Sequence, residues 1–98
     1  MTIFILLSKI SLEGAKNVQS LGQMDREFQE QLKAKFPKVK RIASYALLGG
    51  YDFLHIFEAP DAKVAARVAL LANAFGVSST ETLTAIPFEE FHKMLDEV

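Results

Sequence analysis

Residues 39–59, VKRIASYALLGGYDFLHIFEA, decide the fold of this chain. Two runs rich in apolar, β-branched and aromatic residues flank the pair Gly49-Gly50. A double glycine between such runs is typical of a β-hairpin with a two-residue turn. The pattern therefore predicts two paired strands, over residues 39–48 and 51–59.

The hairpin also predicts a register. Counting outward from the double glycine places Ser44 opposite His55 and Arg41 opposite Glu58. Opposite charges that face each other across an antiparallel pair stabilise it, so the Arg41–Glu58 pair favours this register.

The residues before the hairpin predict one strand and one long helix. Residues 2–9 mix apolar and β-branched types without helical spacing and indicate a strand, and residues 11–18 indicate a short turn of helix. Ser20 and Gln23 have the spacing of a capping box, which predicts a helix that begins at Ser20. This helix is expected to end near Lys35, just before a proline.

The residues after the hairpin predict a second helix, a fourth strand and a terminal helix. Asp61 is a typical N-cap for a helix over residues 62–74, and Gly76 is well placed to end that helix. Residues 77–86 alternate in the manner of a strand, and Pro87 opens a short helix. The order is that of a single α+β domain over residues 1–98, a ferredoxin-like βαββαβ sandwich with an extra C-terminal helix.

Composition excludes several classes of function. The 98 residues include no cysteine, which excludes a disulfide framework and thiolate metal sites, and the net charge is −1. A chain without a basic field is not expected to bind nucleic acid. The N-terminal apolar run is too short to span a bilayer, so we expect a cytoplasmic protein without membrane attachment, metal or cofactor.

The predicted sheet is apolar on both faces. In the first strand one face carries Ile3, Ile5 and Leu7, while the other carries Phe4 and Leu6. Helices cover one face of a ferredoxin-like sheet, and an apolar patch left in water usually marks an interface. We therefore expect a second copy to pack sheet to sheet, as a homodimer or higher oligomer. The alternative is that the C-terminal helix folds over this face.

Five polar side chains are candidates for ligand binding: Tyr45, Tyr51, Asp52 and His55 of the hairpin, and Glu81 of the fourth strand. A histidine in an apolar cavity can act as a general base, so His55 is the candidate catalytic residue. The alternative is a buried histidine that is hydrogen-bonded to Ser44. Asp52 can equally bind backbone amides of the turn.

The segment Leu48-Gly49-Gly50-Tyr51-Asp52-Phe53 resembles the signature of the GYD domain family. Further similar stretches follow in the family's order, namely Gly14–Val18, Phe57–Asp61, Thr80–Leu83 and Phe88–Phe91. The resemblance implies a ferredoxin-like domain of the dimeric α/β-barrel type. It implies no agreed catalytic residues, because the family is largely uncharacterised.

The sequence leads to two functional hypotheses. The first is a homo-oligomeric accessory or binding domain with a cavity for a small apolar or aromatic molecule. The alternative is a cofactor-independent enzyme, similar to small monooxygenases or isomerases, that uses His55 as its base. Residues 1–49 carry four more basic than acidic residues and residues 50–98 carry five more acidic than basic ones, a division that also allows a protein partner.

Overall fold

The computed structural model describes residues 1–12 and 15–98, so Gly14 of the family resemblance lies outside the described residues. Four strands and four α-helices follow the predicted order. They are β1 (Thr2–Ile10), α1 (Leu12–Lys16), a 3-10 turn (Val18–Ser20), α2 (Leu21–Lys35), β2 (Lys40–Ala46), β3 (Phe53–Ala59), α3 (Ala62–Ala72), β4 (Val77–Ala85) and α4 (Phe88–Asp96).

The strands form one antiparallel sheet in the order β2-β3-β1-β4, which confirms the ferredoxin-like prediction. Side chains from one sheet face and from helices α2 and α3 form the core: Phe4, Leu6, Phe57, Ala59, Phe28, Leu32, Ala65, Val68 and Ala72. The rings of Phe4 and Phe57 stack with centroids 5.8 Å apart. Alanines in α3 allow this helix to lie close to the sheet.

The two predicted helix caps have different outcomes. The Asp61 carboxylate accepts a hydrogen bond from the Val64 amide at 2.9 Å, which confirms the cap of α3. The capping box at Ser20 is wrong, because its hydroxyl donates to the Asn17 carbonyl at 2.9 Å. Ser20 ends a 3-10 turn and has helical backbone angles, whereas a capping residue normally has an extended conformation.

The predicted two-residue turn at Gly49-Gly50 is also wrong. Such a turn needs positive φ angles, and among the described residues Gly76 is the glycine with a positive φ, of 88°. The β2–β3 connection spans residues 47–52 and is closed by a hydrogen bond from Leu47 to the Asp52 carbonyl at 2.8 Å. Asp52 in turn donates from its amide to the Ser8 carbonyl at 2.8 Å, which holds this part of the connection against β1.

The β2–β3 register contains a bulge that the sequence did not predict. Ser44 lies opposite His55 as predicted, but Arg41 lies opposite Phe57 instead of Glu58, and Lys40 takes the place opposite Glu58. The shift falls between Arg41 and Ala43, so the intervening Ile42 is the extra residue. A bulge turns the side chains beyond it to the other face of the sheet. Arg41 consequently lies on the helix side.

The face of the sheet away from α2 and α3, which we call the open face, is apolar. It carries Ile3, Ile5 and Leu7 of β1 beside Leu54 and Ile56 of β3, and none of these five is fully buried.

Helix α4 does not cover the open face. It buries none of its residues, and the Phe88 side chain is 71% exposed. The radius of gyration of 14.8 Å exceeds the about 12.6 Å expected for a compact chain of this length. The alternative in which α4 folds over the open face is therefore wrong for the single chain. No helix in the described ranges combines the length and apolar character needed to cross a bilayer.

Candidate functional site

A cavity of about 340 Å³ lies between the helix layer and strands β2 and β3. Three aromatic side chains form much of its wall: Phe28 of α2, Phe53 of β3 and Phe75 after α3. The rings of Phe28 and Phe75 lie 6.0 Å apart. Small-molecule sites are typically concave, mainly apolar and supplied with a few polar groups, and this cavity has that character.

Four polar side chains from α2, β2 and β3 meet at one end of the cavity. Arg41 donates from Nε to the Ser44 hydroxyl at 2.6 Å and from Nη2 to Nδ1 of His55 at 3.0 Å. The Ser44 hydroxyl lies 2.8 Å from the same Nδ1. The carboxylate of Asp25 lies 3.5 Å from Nη2 of Arg41. We call Asp25, Arg41, Ser44 and His55 the polar cluster.

The polar cluster decides the tautomer of His55. A guanidinium can only donate, so Nδ1 must accept and the proton of the neutral imidazole is on Nε2. Burial lowers the pKa of His55, the positive charge of Arg41 lowers it further, and the carboxylate of Asp25 partly opposes them. At neutral pH the site therefore contains a neutral imidazole with an N–H donor.

Ser8 adds a second polar feature to the same cavity. It is 1% exposed, faces the helix layer from β1, and lines the cavity. Its hydroxyl has no hydrogen-bond partner among the described residues. A buried polar group without a partner is unusual in proteins and calls for an explanation such as a ligand or a water molecule.

The family model of the GYD domain matches residues 4–95. This chain belongs to the GYD domain family. A curated relative from Thermus thermophilus, named "Glutamine synthetase and cystathionine beta-lyase binding protein", is 38% identical over 87 residues. The match covers 89% of this chain and 90% of that protein.

Solved structures show the same fold at low sequence identity. MtbAldR superposes with a TM-score of 0.62 at 16% sequence identity. The superposition covers 88% of this chain and 52% of MtbAldR, which is the longer of the two. A protein of Thermus thermophilus superposes with a TM-score of 0.57 at 24% identity, over 89% of this chain and 95% of its own. Both likenesses concern the fold alone.

The signature residues of the GYD domain lie outside the cavity. The Asp52 carboxylate accepts a hydrogen bond from the Ile10 amide at 2.8 Å, where β1 has a bulge. The Tyr51 hydroxyl donates to the Glu81 carboxylate, which raises the pKa of Tyr51 through that hydrogen bond, with desolvation and the negative charge acting in the same direction. The ammonium group of Lys9 lies 5.4 Å from the centre of the Tyr51 ring.

The five candidate residues thus divide into three groups. His55 lines the cavity of the GYD domain with its side chain, whereas Tyr45 borders the cavity from β2 but lies opposite Leu54, on the open-face side of the strand. Tyr51 reaches Glu81 at a position next to Leu7, on the open face. Asp52 binds backbone at the end of β1. Tyr51 does not lie beside His55 on the helix-facing side of β3, because it precedes this strand, which begins at Phe53.

Sequence reasoning missed three residues of the site: Ser8, Asp25 and Arg41. Ser8 carried a signal, since it is a polar residue that follows Phe4 and Leu6 on the helix-facing side of a mainly apolar strand. Arg41 carried none, because the bulge that turns it toward the cavity cannot be read from the alternation of the strand.

A second concavity of about 440 Å³ lies between α3 and β4. Its wall consists mainly of alanine and threonine side chains, and no charged residue is among the described residues that line it. The cavity with the polar cluster is therefore the candidate functional site.

Proposed function

We propose that this GYD domain is a homo-oligomeric accessory domain that binds a small apolar or aromatic molecule beside Phe53 and His55. The observation that carries the proposal is the aromatic-walled cavity of about 340 Å³, which also contains the unpaired hydroxyl of Ser8. A bound molecule would cover the aromatic wall and give that hydroxyl a partner. Each apolar side chain removed from water contributes about 1.5–3 kcal/mol.

The proposed oligomer is a dimer of two copies that pack through the open face. The charges that border its apolar centre support a second copy as the occupant. Lys9 and Glu81 lie on β1 and β4 at one end of this face, and Lys40 and Glu58 lie as a pair on β2 and β3. A two-fold axis brings the same patch of both copies together, so basic residues of one copy can meet acidic residues of the other.

The geometry of His55 supports binding over general-base catalysis. A general base needs a free lone pair, and the lone pair of Nδ1 is already directed at Arg41 and Ser44. Its lowered pKa makes the imidazole a weaker base. The enzymatic alternative therefore has less support than a role for His55 as a hydrogen-bond donor to a ligand.

Ligand binding can be tested with a variant that blocks the cavity. Ala46 lines its mouth from β2 and is exposed, so Ala46→Trp should fill the cavity without disturbing the core. Isothermal titration with a panel of single-ring aromatic compounds should detect binding to the wild type and none to this variant. Ala66→Trp, on the exposed side of α3 away from the cavity, is the matched control and should bind as the wild type does. Equal binding by all three proteins would reject the cavity as the site.

A second candidate function is docking onto a larger enzyme. It is supported by the name of the Thermus relative and by the apolar side of α4, where Phe88 and Phe91 are exposed. The test is biolayer interferometry of this protein against purified glutamine synthetase and cystathionine beta-lyase from the organism that encodes it. Binding that is lost in Phe88→Asp would support this function, and no binding to either enzyme would reject it.

A further inference from the structure

We infer that the polar end of the cavity is a carboxylate-binding subsite, and that the ligand is a small carboxylic acid with an aromatic or other apolar body. This inference rests on the proposed function, because it concerns the same cavity. It assigns three donors to the carboxylate: the guanidinium of Arg41, Nε2 of His55 and the hydroxyl of Ser8.

Arg41 supplies the positive charge, and that charge is incompletely neutralised. Its side chain is 23% exposed, and the 3.5 Å between Nη2 and the Asp25 carboxylate exceeds the about 2.7–2.9 Å of a close charge-assisted hydrogen bond. No described residue accepts a hydrogen bond from its Nη1. A planar guanidinium with free donors beside an apolar cavity is well suited to bind a carboxylate.

His55 and Ser8 supply neutral donors on the same side of the sheet. Ser8 lies opposite Phe53, and His55 lies opposite Leu6, so the two are diagonal neighbours facing the helices. The Arg41 contact leaves the proton of the imidazole on Nε2, which has no acceptor among the described residues. The Ser8 hydroxyl is also without a partner. A carboxylate has enough lone pairs to accept from all three groups.

The remaining walls select the body of the ligand. Phe28, Phe53 and Phe75 offer ring faces and edges, and about 340 Å³ is near the lower end of ordinary ligand cavities. That space suits one aromatic ring with a short acidic side chain. A cation is disfavoured, because the one acidic residue among the described residues of the cavity wall, Asp25, already faces Arg41.

Asp25 has a distinct role in this arrangement. Its side chain is 46% exposed, and its carboxylate lies 3.5 Å from Nη2 of Arg41, on the same guanidinium whose free Nη1 a ligand carboxylate would bind. A bound carboxylate therefore competes with Asp25. Removing the charge in Asp25→Asn should strengthen the binding of acids, whereas removing the guanidinium in Arg41→Met should weaken it.

The experiment compares acids with their neutral amides by isothermal titration at about pH 7.5. The probes are benzoate, phenylacetate and indole-3-acetate, each beside its primary amide. At least one acid should bind the wild type about tenfold or more tighter than its amide. Arg41→Met should remove the preference for the acid without weakening the binding of the amide. Asp25→Asn should increase the preference for the acid. Arg67→Met, on the exposed side of α3, should behave as the wild type.

The outcomes separate this inference from the proposed function. If amides bind as tightly as acids, or if Arg41→Met leaves the preference intact, the carboxylate subsite is refuted while the cavity remains a binding site. If neither acids nor amides bind, both proposals fail. Circular dichroism checks the fold of each variant, and should Arg41→Met fail to fold, the acid-to-amide ratios of the wild type and of Asp25→Asn still decide the question.

Discussion

The Arg41 guanidinium donates a hydrogen bond from Nη2 to Nδ1 of His55 over 3.0 Å. The contact exists because the bulge at Ile42 places Arg41 opposite Phe57, on the helix side of β2. Without the bulge Arg41 would lie opposite Glu58 on the open face, as the alternation of the strand predicted. One extra residue in an edge strand thus determines the charge and the tautomer inside the cavity.

Removing the charge of Arg41 should raise the pKa of His55. Burial is the larger cause of the lowered pKa, and the positive charge of the guanidinium is the second. Arg41→Leu removes this second cause, while the Asp25 carboxylate, which raises the pKa, remains. An NMR titration of the imidazole protons measures the effect, with His92→Asn used to assign the two histidine signals. Arg67→Leu, which is remote and exposed, should leave the pKa of His55 unchanged. An unchanged pKa in Arg41→Leu would refute the contact.

His55 should make the protein less stable in mild acid. Its pKa lies below 6.5 in the folded state and near 6.5 in the unfolded state, so below about pH 7 the unfolded chain binds more protons. The contribution of His55 to the free energy of unfolding is complete at a pH above its pKa in the unfolded chain. It declines as the pH falls below that value, and it is lost once the pH is below the pKa of His55 in the folded protein. Arg41 and Asp25 are the charged groups facing the imidazole.

Urea unfolding at about pH 5.5 and about pH 7.5 tests this dependence. The wild type should lose more free energy of unfolding between the two conditions than His55→Asn does. His92→Asn, an exposed position on α4, should lose as much as the wild type. Equal losses in the wild type and His55→Asn would contradict the prediction.

Replacing Ser8 by alanine should stabilise the ligand-free protein and weaken ligand binding. The buried hydroxyl has no partner, so its removal should raise the free energy of unfolding by about 1 kcal/mol. Ser44→Ala is the contrasting variant, because the Ser44 hydroxyl forms hydrogen bonds with Arg41 and His55. Its loss should therefore not raise the free energy of unfolding. Thermal unfolding and titration of the same samples measure both effects. A destabilised Ser8→Ala would mean that the hydroxyl is satisfied in the free protein.

Gly76→Ala should destabilise the fold by about 1–3 kcal/mol, because a side chain at a positive φ is strained. The φ of Gly76 is 88°, and an added Cβ would lie 2.9 Å from the sulfur of Met24. Gly50→Ala is the matched control: a Cβ added there would have no atom within 4 Å, and the change should stay within about 0.5 kcal/mol. Chemical denaturation of the two variants provides the comparison, and equal losses would show that Gly76 tolerates a side chain.

Placing a charge in the centre of the open face should abolish the proposed dimer. Ile56→Lys puts two ammonium groups into a two-fold interface, one from each copy, and each lost isoleucine removes about 1.5–3 kcal/mol of burial. Native mass spectrometry at micromolar concentration should detect a dimer for the wild type and a monomer for this variant. Leu70→Lys, exposed on α3, is the control and should remain dimeric. A wild type that is monomeric would refute the dimer itself.

The sequence by itself determined the elements and their order. Period-2 alternation, the Asp61 cap and the proline at position 87 are local signals, and local signals decide where most strands and helices begin and end. The glycine at position 76 was a less exact signal, because α3 already ends at Ala72 and Gly76 closes the turn that follows. The ferredoxin-like class followed from that order. Counting outward from the double glycine also predicted correctly that Ser44 lies opposite His55 in the centre of the hairpin.

Only the tertiary structure decided which side chains meet in the cavity. The bulge at Ile42 depends on how β2 pairs with β3. The hydrogen bond of Asp52 to β1 and that of Tyr51 to Glu81 on β4 depend on strands distant in the chain. Arg41, His55, Ser8 and Asp25 come from four different elements, so no spacing along the chain joins them. Their positions follow from how the strands and helices pack, which a pattern within one element does not contain.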